Sequence, residues 1–369
     1  MRILICPNAF KGSLTAGQAA AALARGVRRG GGGVEVRELP LADGGDGTLA
    51  VLLRALGGEE VSCWTRDPWG RPLLASYGVL SDGRGVVELA QASGLARLLP
   101  TERDPEQTST EGTGILIRAA LERGCRELLI TLGGSATNDG GMGIAHALGF
   151  RFLAADGQAL PPKGGSLLQV ASMDASQVLP AVWDTRFRLL CDVNNPLLGS
   201  RGAVAVFGPQ KGATPEQQAR LEQGLARWAA LIGAEAGVDI RHLAGAGAAG
   251  GVGGGLVALL GASIESGTDF ILQTLELERW IAWADLVITG EGHLDPQSQM
   301  GKLFGGIQAL CQRYGKPLWV IVGQGALPGV KVSRVMDLAA DLESAMQRAD
   351  HYLEALAYSG IGEFLHPSL

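Results

Sequence analysis

Short apolar runs alternate with longer amphipathic stretches along this chain. Near its start, residues 2–6 and 34–39 are predicted to be strands, and residues 15–29 and 48–55 are predicted to be helices. Thr15 is the expected N-cap of the first helix, and the glycines after residue 29 are expected to end it. The order strand, helix, strand, helix is typical of domains in which helices connect parallel strands.

Further apolar runs extend this alternation to the end of the chain. Strands are predicted at 128–132, 286–289 and 318–322, and helices at 113–123, 215–231, 303–314 and 343–357. We therefore expect an α/β fold with a doubly wound first domain and a second α/β domain inserted into it. The expected boundaries are 1–60, 106–150 and 280–369 for the first domain, and 61–105 and 151–279 for the second.

Composition and charge narrow the class of protein. Of the 369 residues, 46% are hydrophobic and 18% are charged, which is enough apolar material for two cores. The net charge of −6 argues against nucleic acid as the main partner. The five cysteines are isolated in the sequence, so neither a disulfide framework nor a zinc knuckle is expected. Because no apolar run is long enough for a membrane span or a signal peptide, we expect a cytoplasmic protein.

The most informative motif is LGGSATNDGG, which follows the predicted strand 128–132 and precedes an apolar helical pattern. In α/β enzymes, a strand followed by a loop of small residues and then a helix commonly presents backbone N–H groups to an anion. A tight glycine turn is the simpler alternative, but a turn needs fewer such residues. The candidate phosphate-binding residues are Gly133, Gly134, Ser135, Thr137 and Asn138.

Two motifs near the start of the chain also follow predicted strands. In CPNAFKGSL, Lys11 and Ser13 are candidates for binding a phosphate or a substrate carboxylate, although a lysine before a helix is often only a surface residue. In LADGGDGT, Asp43 and Asp46 suit magnesium or general-base chemistry. The alternative for these two carboxylates is an ordinary Asp-Gly turn.

Three later motifs carry further acids and lysines. Asp192 lies in CDVNNPLLG after an apolar run, and Lys211 lies in FGPQKGA as a candidate phosphate or substrate contact. Glu291, Asp295 and Lys302 lie in TGEGHLDPQSQMGKL, after the predicted strand 286–289. The chain has only six lysines against 25 arginines, so a lysine retained in a glycine-flanked motif is informative.

The segment GAGAAGGVGGG, residues 245–255, contains a GxGxxG pattern. No convincing strand precedes it, so it indicates a dinucleotide site only weakly, and close packing of a helix explains its glycines equally well. No P-loop, HExxH or G-x-S-x-G motif occurs. A dinucleotide-dependent oxidoreductase and a non-catalytic nucleotide or organic-acid sensor are the alternatives to a phosphotransferase.

Taken together, these motifs resemble the bacterial glycerate kinase family of type 1, which is unrelated to protein kinases and sugar kinases. The resemblance rests on PNAFKGSL, ADGGDGT, TSTEGTG, LGGSATNDGG, CDVNNPL, FGPQKGA, GAGAAGG and TGEGHLDPQS, in this order from residue 6 to about 305. It implies a flavodoxin-like, Rossmann-like domain with an inserted second α/β domain and a cleft between them. It also implies phosphorylation of D-glycerate by ATP with Mg²⁺, giving 2-phosphoglycerate or, as members are often labelled, the 3-phosphate.

From residue chemistry and this resemblance, we expect direct in-line transfer without a phosphoenzyme. The candidate phosphate-binding residues within 133–138 are expected to bind the phosphates of ATP. Lys211 or Lys302 is expected to neutralise the charge that develops on the transferred group. Asp192 or Asp295 takes the proton of the hydroxyl or holds the metal, for which Glu291 is a further ligand. The expected substrate-binding residues are Lys11, Ser13, Asp43 and Asp46, with the first two at the glycerate carboxylate. A monomer or a homodimer is expected.

The chain departs in three places from the usual pattern of the family that it resembles. Asn8 and Ala9 stand where an acid and a serine are usual in the first motif. Asp46 replaces a usual glutamate, which shortens the side chain and keeps its charge. His293 replaces a usual arginine, so that a permanent cation is lost.

Overall fold

Two units, each with its own β-sheet, make up the chain. The computed structural model describes residues 1–294, 302–326 and 329–365. Unit 1 comprises Met1–Asp43 and Thr268–Leu369, and unit 2 comprises Gly44–Gly267. The predicted α/β class is confirmed in both units.

Unit 1 is built on a parallel sheet whose central strand is the first apolar run of the sequence. Its five described strands lie in the order Lys331–Arg334, Leu318–Val322, Leu286–Thr289, Arg2–Ile5 and Glu35–Glu38. The side chains of Ile3, Leu4 and Ile5 are fully buried, as expected for a parallel strand covered on both faces. The predicted strands 286–289 and 318–322 are confirmed at the predicted residues.

The helices of unit 1 cover this sheet. They are Ala16–Gly30, Gly267–Thr274 (whose first residue belongs to unit 2), Leu277–Trp283, Lys302–Arg313, Leu342–Gln347, Ala349–Gly360 and Gly362–Leu365, with a short 3₁₀ turn at Val335–Asp337. Thr15 caps the first of them in a reciprocal capping box with Gln18, which confirms the predicted start. The predicted last helix, 343–357, is instead two helices that meet at Arg348, whose backbone leaves the helical region.

Unit 2 is built on a mixed sheet that is parallel on one side and antiparallel on the other. Its six described strands lie in the order Ser263–Glu265, Arg186–Leu190, Glu127–Thr131, Gly85–Glu88, Pro72–Leu80 and Gly58–Arg66. The first four are parallel, and the last two form an antiparallel hairpin. The carboxyl ends of the four parallel strands therefore share one edge of the sheet.

A large apolar core holds the helices of unit 2 against its sheet. The main helices are Thr48–Leu56, Glu111–Glu122, Met142–Ala147, Ala203–Phe207, Pro215–Ala236 and Ala248–Leu260, and shorter turns lie at Ala90–Ser93, Gly164–Leu168, Pro180–Trp183 and Pro209–Lys211. The fully buried ring of Trp228, on the longest helix, packs edge-on against Phe152 with ring centroids 5.0 Å apart. None of the helices that the structure describes is long and apolar enough to cross a membrane.

The strand pairing corrects the predicted domain boundaries. Residues 106–150 were expected in the first domain, but Glu127–Thr131 pairs with Gly85–Glu88 on one side and with Arg186–Leu190 on the other. These hydrogen bonds place it inside the sheet of unit 2. Residues 44–60 also belong to unit 2. The alternation of strands and helices along a sequence does not specify which sheet a strand joins.

We predict that Gly26→Ala destabilises unit 1 although alanine is the better helix former. Helix Ala16–Gly30 lies so close to Ala349–Gly360 that a Cβ at Gly26 would be 2.2 Å from the carbonyl oxygen of Glu354 and 2.7 Å from the Cβ of Ala357. The helices must separate, which should lower the free energy of unfolding by about 1–3 kcal/mol, measured by urea denaturation.

The matched control is Gly362→Ala. Gly362 also lies in a helix of unit 1, but a Cβ there would meet no atom within 4 Å. The control should be neutral or slightly stabilising, by about 1 kcal/mol at most. Equal effects of the two substitutions would contradict the close helix contact.

Candidate active site

The loop LGGSATNDGG leaves the carboxyl end of strand Glu127–Thr131 and leads into helix Met142–Ala147, as predicted. Gly134, Gly140 and Gly141 have φ angles of 71°, 61° and 80°, a region that strains residues with a side chain. The loop therefore folds back on itself at positions where only glycine is readily accommodated.

Asp139 holds this loop in shape from within. Its side chain is fully buried, and its carboxylate accepts hydrogen bonds from the backbone N–H and hydroxyl of Thr110 at 2.7 and 2.8 Å. It also accepts from the N–H groups of Gly141 at 3.2 Å and Gly143 at 3.1 Å, at the start of the following helix. Burial raises the pKa of Asp139, and these four donors oppose the rise.

Sequence reasoning did not single out Asp139 as a site residue. The available signal was a carboxylate in the loop that precedes a predicted helix, where an acidic side chain can accept hydrogen bonds from the first N–H groups of the helix. Its partner Thr110 lies on another segment of the chain, and the sequence gave no reason to pair them.

Lys211 reaches the same loop from the 3₁₀ turn Pro209–Lys211. Its ammonium donates to the Ser135 hydroxyl and to the carbonyl oxygen of Thr137, both at 2.7 Å. Only 2% of Lys211 is exposed, and burial lowers its pKa to about 7, with the charge of Asp139 opposing this shift. The predicted phosphate loop and the predicted catalytic lysine are thus one hydrogen-bonded cluster.

Three polar atoms of the loop are buried without a hydrogen-bond partner among the described residues. They are the Thr137 hydroxyl and both the oxygen and the nitrogen of the Asn138 amide. A buried polar group that lacks a partner costs about 1–3 kcal/mol, so such groups in a native protein call for an explanation. The hydroxyl and amide N–H donors suit phosphate oxygens, and the cation beside them suits a negative charge, so the residues of this loop fit a phosphate group.

The motif LADGGDGT divides between the two units, with Asp43 in unit 1 and Asp46 in unit 2. In unit 2 it touches the phosphate loop: a Cβ at Gly133 would lie 2.8 Å from the Cα of Gly45, and a Cβ at Gly134 would lie 3.1 Å from the Asp46 carboxylate. Asp46 therefore presents an exposed carboxylate beside the loop.

Glu88 is a second carboxylate that sequence reasoning missed. It ends strand Gly85–Glu88, is only 3% exposed, and accepts hydrogen bonds from the Leu49 N–H at 2.8 Å and the Gln91 side chain at 3.2 Å. Burial raises its pKa, and the nearby Asp46 charge adds to the rise. The sequence signal for Glu88 was an acidic residue at the end of an apolar run. It was missed because this residue lies outside the glycine-rich motifs.

Asp192 lies at the same edge of the unit 2 sheet. It follows strand Arg186–Leu190, and its carboxylate accepts a hydrogen bond from the Ser266 hydroxyl at 2.8 Å. Ser266 follows the neighbouring parallel strand Ser263–Glu265, so the register of the two strands sets this contact. The carboxyl edge of unit 2 thus carries Glu88, the phosphate loop and Asp192.

Unit 1 has a cavity of about 370 Å³ at the carboxyl ends of its central strands. Lys11, Ser13, Asp43, Glu291 and His293 line it. The loops concerned follow Arg2–Ile5 and Leu286–Thr289, the neighbouring strands from which the chain proceeds to opposite sides of the sheet. Ligands of open α/β sheets bind at such a switch point.

The hydroxyl of Ser13 is already engaged, because it donates to the carbonyl oxygen of Met346 at 2.6 Å. Apolar side chains of the C-terminal helices, including Leu342 and Met346, form the other wall of the cavity.

The predicted metal ligands do not come together as a described cluster. Asp192 lies in unit 2, Glu291 lies in unit 1, and Asp295 is outside the described residues. Lys302 begins helix Lys302–Arg313, but its side chain is also outside the described part of the chain. Within the described ranges, no group of three or more His, Cys, Asp or Glu side chains is placed to hold a metal ion. Magnesium binding stays a prediction.

The glycines of residues 245–255 pack against the phosphate loop. A Cβ at Gly250 would lie 2.1 Å from the carbonyl oxygen of Thr137, and a Cβ at Gly255 would lie 1.9 Å from that of Gly140. Protein backbone therefore occupies the space that these glycines leave open. The structure favours the close-packing explanation over a dinucleotide-binding turn.

Comparison with known proteins agrees with these features. Residues 3–363 match the sequence profile of the Glycerate kinase family. Glycerate kinase of Bacillus subtilis (strain 168) is 40% identical over 366 residues, covering 97% of this chain and 96% of that protein. Glycerate 2-kinase of Escherichia coli (strain K12) is 41% identical over 324 residues, covering 88% and 85%.

A crystal structure gives the same result for the fold. A protein of Salmonella typhimurium LT2 assigned as glycerate kinase 2 has a TM-score of 0.86 and 39% identity, covering 100% of this chain and 99% of the other. The resemblance inferred from eight ordered motifs is thereby confirmed. With a family match across nearly its whole length and relatives at about 40% identity, this chain belongs to the glycerate kinase family of phosphotransferases that act on an alcohol group.

Proposed function

We propose that this enzyme phosphorylates D-glycerate with ATP and Mg²⁺ and yields 2-phosphoglycerate. The name of the Escherichia coli relative, glycerate 2-kinase, supports this choice of hydroxyl over the 3-position. The observation that carries the proposal is the buried ammonium of Lys211, which is hydrogen-bonded into a glycine loop beside unpaired hydroxyl and amide groups. We also propose that the enzyme acts in the cytoplasm.

In this proposal the loop binds the phosphate chain and Lys211 stabilises charge on the transferred group. When bound, ATP supplies the phosphoryl group and Mg²⁺ screens its charge. The Thr137 hydroxyl and the Asn138 amide donate to phosphate oxygens, and the neighbouring glycines let the ligand approach the backbone. A bound anion favours the protonated form of Lys211, because its negative charge opposes the effect of burial, which lowers the pKa of this lysine. The proposed transfer is direct and in line, without a phosphoenzyme.

Asp192 is the best-placed residue of the unit 2 edge to accept the hydroxyl proton or to hold the metal. It is half-buried, and the Ser266 hydroxyl fixes one carboxylate oxygen. Glu88 suits these roles less well, because its carboxylate caps the helix that begins at Thr48 and burial raises its pKa. Asp295, the other residue that the sequence analysis proposes for these two roles, stays the alternative to Asp192.

The glycerate carboxylate is proposed to bind at Lys11 in the unit 1 cavity. Lys11 is exposed there and supplies a cation, which a carboxylate ligand requires. Ser13 contributes through its backbone or as an acceptor, because its hydroxyl already donates to Met346. Asp43 and Asp46 are proposed to bind the hydroxyl groups of the substrate.

We expect Lys211→Met to lower kcat by about a hundredfold or more, equivalent to about 2.7 kcal/mol of transition-state stabilisation. The side chain is similar in length and apolar, so the buried site stays filled while the charge is removed. Lys163→Met is the matched control, because Lys163 lies in the same unit and its ammonium donates to the Gln107 side chain. Steady-state kinetics that show equal, small effects for both variants would exclude Lys211 from the chemistry.

Lys211 should also set the alkaline limb of the pH profile. Its lowered pKa of about 7 means that the free enzyme loses the ammonium as pH rises through neutrality. We expect kcat/KM to fall about tenfold per pH unit above about pH 7. The limb in kcat should lie at higher pH, because bound phosphate favours the ammonium. A kcat/KM profile that is flat across this range would show that the charge of Lys211 is not required.

We expect Asp192→Asn to lower kcat by well over tenfold, since the amide can neither accept the hydroxyl proton nor bind a metal as an anion. Asp184→Asn is a control from the opposite, amino-terminal end of the same strand, Arg186–Leu190, where Asp184 is exposed. A loss below about tenfold, roughly 1.4 kcal/mol, would exclude an essential role for Asp192.

The proposed function itself is tested by following ATP turnover with D-glycerate and Mg²⁺ and resolving the product by phosphorus NMR. We expect the resonance of the 2-phosphate. The 3-phosphate would refute the proposed regiochemistry while keeping the reaction class. Saturable ATP binding without turnover would support a sensor, and turnover with another hydroxy acid but not with glycerate would refute the proposed substrate.

A further inference from the structure

Helix Thr48–Leu56 begins without a capping side chain of its own. Its N-cap is Gly47, and the hydroxyl of Thr48 is buried with no hydrogen-bond partner among the described residues. The first backbone N–H groups of a helix have no acceptor within the helix, so a buried one needs an acceptor from elsewhere. This helix continues directly from the motif LADGGDGT, which carries Asp46 beside the phosphate loop.

Glu88 supplies the missing cap from a strand that lies far away in the sequence. Its carboxylate accepts a hydrogen bond at 2.8 Å from the N–H of Leu49, the second residue of the helix. An N-cap side chain usually accepts from this same donor. The Gln91 side chain donates to the other carboxylate oxygen at 3.2 Å. The carboxylate is therefore bound through both oxygens and holds the first turn of the helix in place.

The strand end that carries Glu88 is also tied to the phosphate loop. Glu88 lies in register with Thr131, the last residue of the strand from which the loop leaves. Further along the same segment, the Leu95 N–H donates to the carbonyl oxygen of Gly134 at 2.7 Å. The cap and the loop are thus held by neighbouring strand ends of one sheet.

Asp46 lies on a short segment that glycine makes flexible. Gly44 and Gly47 flank it with φ angles of 80° and 91°, which residues with a side chain rarely adopt. A Cβ at Gly133 would lie 2.8 Å from the Cα of Gly45, so this segment and the phosphate loop are in backbone contact. The position of the Asp46 carboxylate relative to the loop therefore depends on how firmly the segment is held where the helix begins.

We propose that Glu88 is a positioning residue for phosphoryl transfer, because its cap on helix Thr48–Leu56 fixes the Asp46 carboxylate beside the phosphate loop. This role rests on the proposed function, in which Asp46 binds a hydroxyl group of the substrate. Glu88 acts here as a hydrogen-bond acceptor, and its negative charge is not required. A base or a metal ligand would instead require that charge. Small displacements of a binding group can cost much of the rate, so loss of the cap should lower turnover.

Substitutions at Glu88 that separate hydrogen bonding from charge test this role. Glu88→Gln keeps an acceptor oxygen for the Leu49 N–H, and we expect it to retain kcat/KM for D-glycerate within about threefold. Glu88→Met fills similar space without an acceptor and should lower kcat/KM by about tenfold or more. Should Glu88→Met not fold, Glu88→Asp serves instead, since its shorter side chain cannot reach Leu49.

Two outcomes of these kinetics would overturn the proposal. A glutamine variant as impaired as the methionine variant would show that the charge of Glu88 takes part in the chemistry. Unchanged kinetics in a variant that lacks the acceptor would show that the cap has no bearing on turnover.

A double-mutant cycle with Asp46→Ala tests whether the effect passes through Asp46. Asp46 is exposed, so the fold should tolerate removal of its carboxylate. We expect Asp46→Ala alone to lower kcat/KM by about tenfold or more, and Glu88→Met to add less than about threefold in that background. Losses that multiply in the double variant, or no loss for Asp46→Ala, would each overturn the proposal.

Hydrogen exchange in the intact enzyme measures the anchoring independently of turnover. Glu88→Met should speed amide exchange in peptides that cover residues 44–52, whereas Glu88→Gln should leave it unchanged. Thr185→Val is the control: it removes another side-chain hydrogen bond of unit 2, from the Thr185 hydroxyl to the Ala181 carbonyl oxygen at 2.6 Å. It should change neither this exchange nor kcat/KM. Absence of wild-type turnover with D-glycerate would refute the proposed function, whereas unchanged exchange in Glu88→Met would overturn the positioning role.

Discussion

The buried ammonium of Lys211 is the interaction on which the unit 2 site depends. Removing a lysine from water is costly unless nearby groups compensate, and here the Ser135 hydroxyl and the Thr137 carbonyl oxygen accept its hydrogen bonds. Asp139 opposes the loss of the proton, but its carboxylate is occupied by four donors of its own. The described acceptors of the Lys211 ammonium are therefore both uncharged, so an anionic ligand beside it would stabilise its protonated form.

Several glycines of the sequence make close backbone contacts at the loop 133–141. Gly133 lies against Gly45, Gly250 lies against Thr137, and Gly255 lies against Gly140. The Trp228 indole N–H donates to the carbonyl oxygen of Gly140 at 3.0 Å and so ties the loop to the core. The loop is held from several sides by contacts that a larger side chain would break, which keeps its geometry fixed.

Local patterns determined the parts of the fold that could be predicted. The predicted bounds of strands 286–289 and 318–322 match the structure, because these apolar runs are buried on both faces of the sheet. The start of the first helix was predictable because Thr15 has the chemistry of an N-cap. The sheet joined by Glu127–Thr131 could not be predicted, because its partners lie far away in the sequence. In the site, glycine-rich motifs revealed the loop and Lys211, whereas Glu88 and Asp139 owe their roles to long-range hydrogen bonds.

The substitution of Asn8 for the usual acid has a specific consequence in unit 1. The Asn8 side-chain oxygen accepts a hydrogen bond from the Ala9 N–H at 2.7 Å, a contact that a carboxylate oxygen would make equally well. The local turn is therefore kept. Asn8 also lines the cavity that contains Asp43 and Glu291, where a third carboxylate would repel an anionic ligand at Lys11. The amide thus preserves the backbone geometry, and for the proposed binding of glycerate at Lys11 it avoids this additional repulsion.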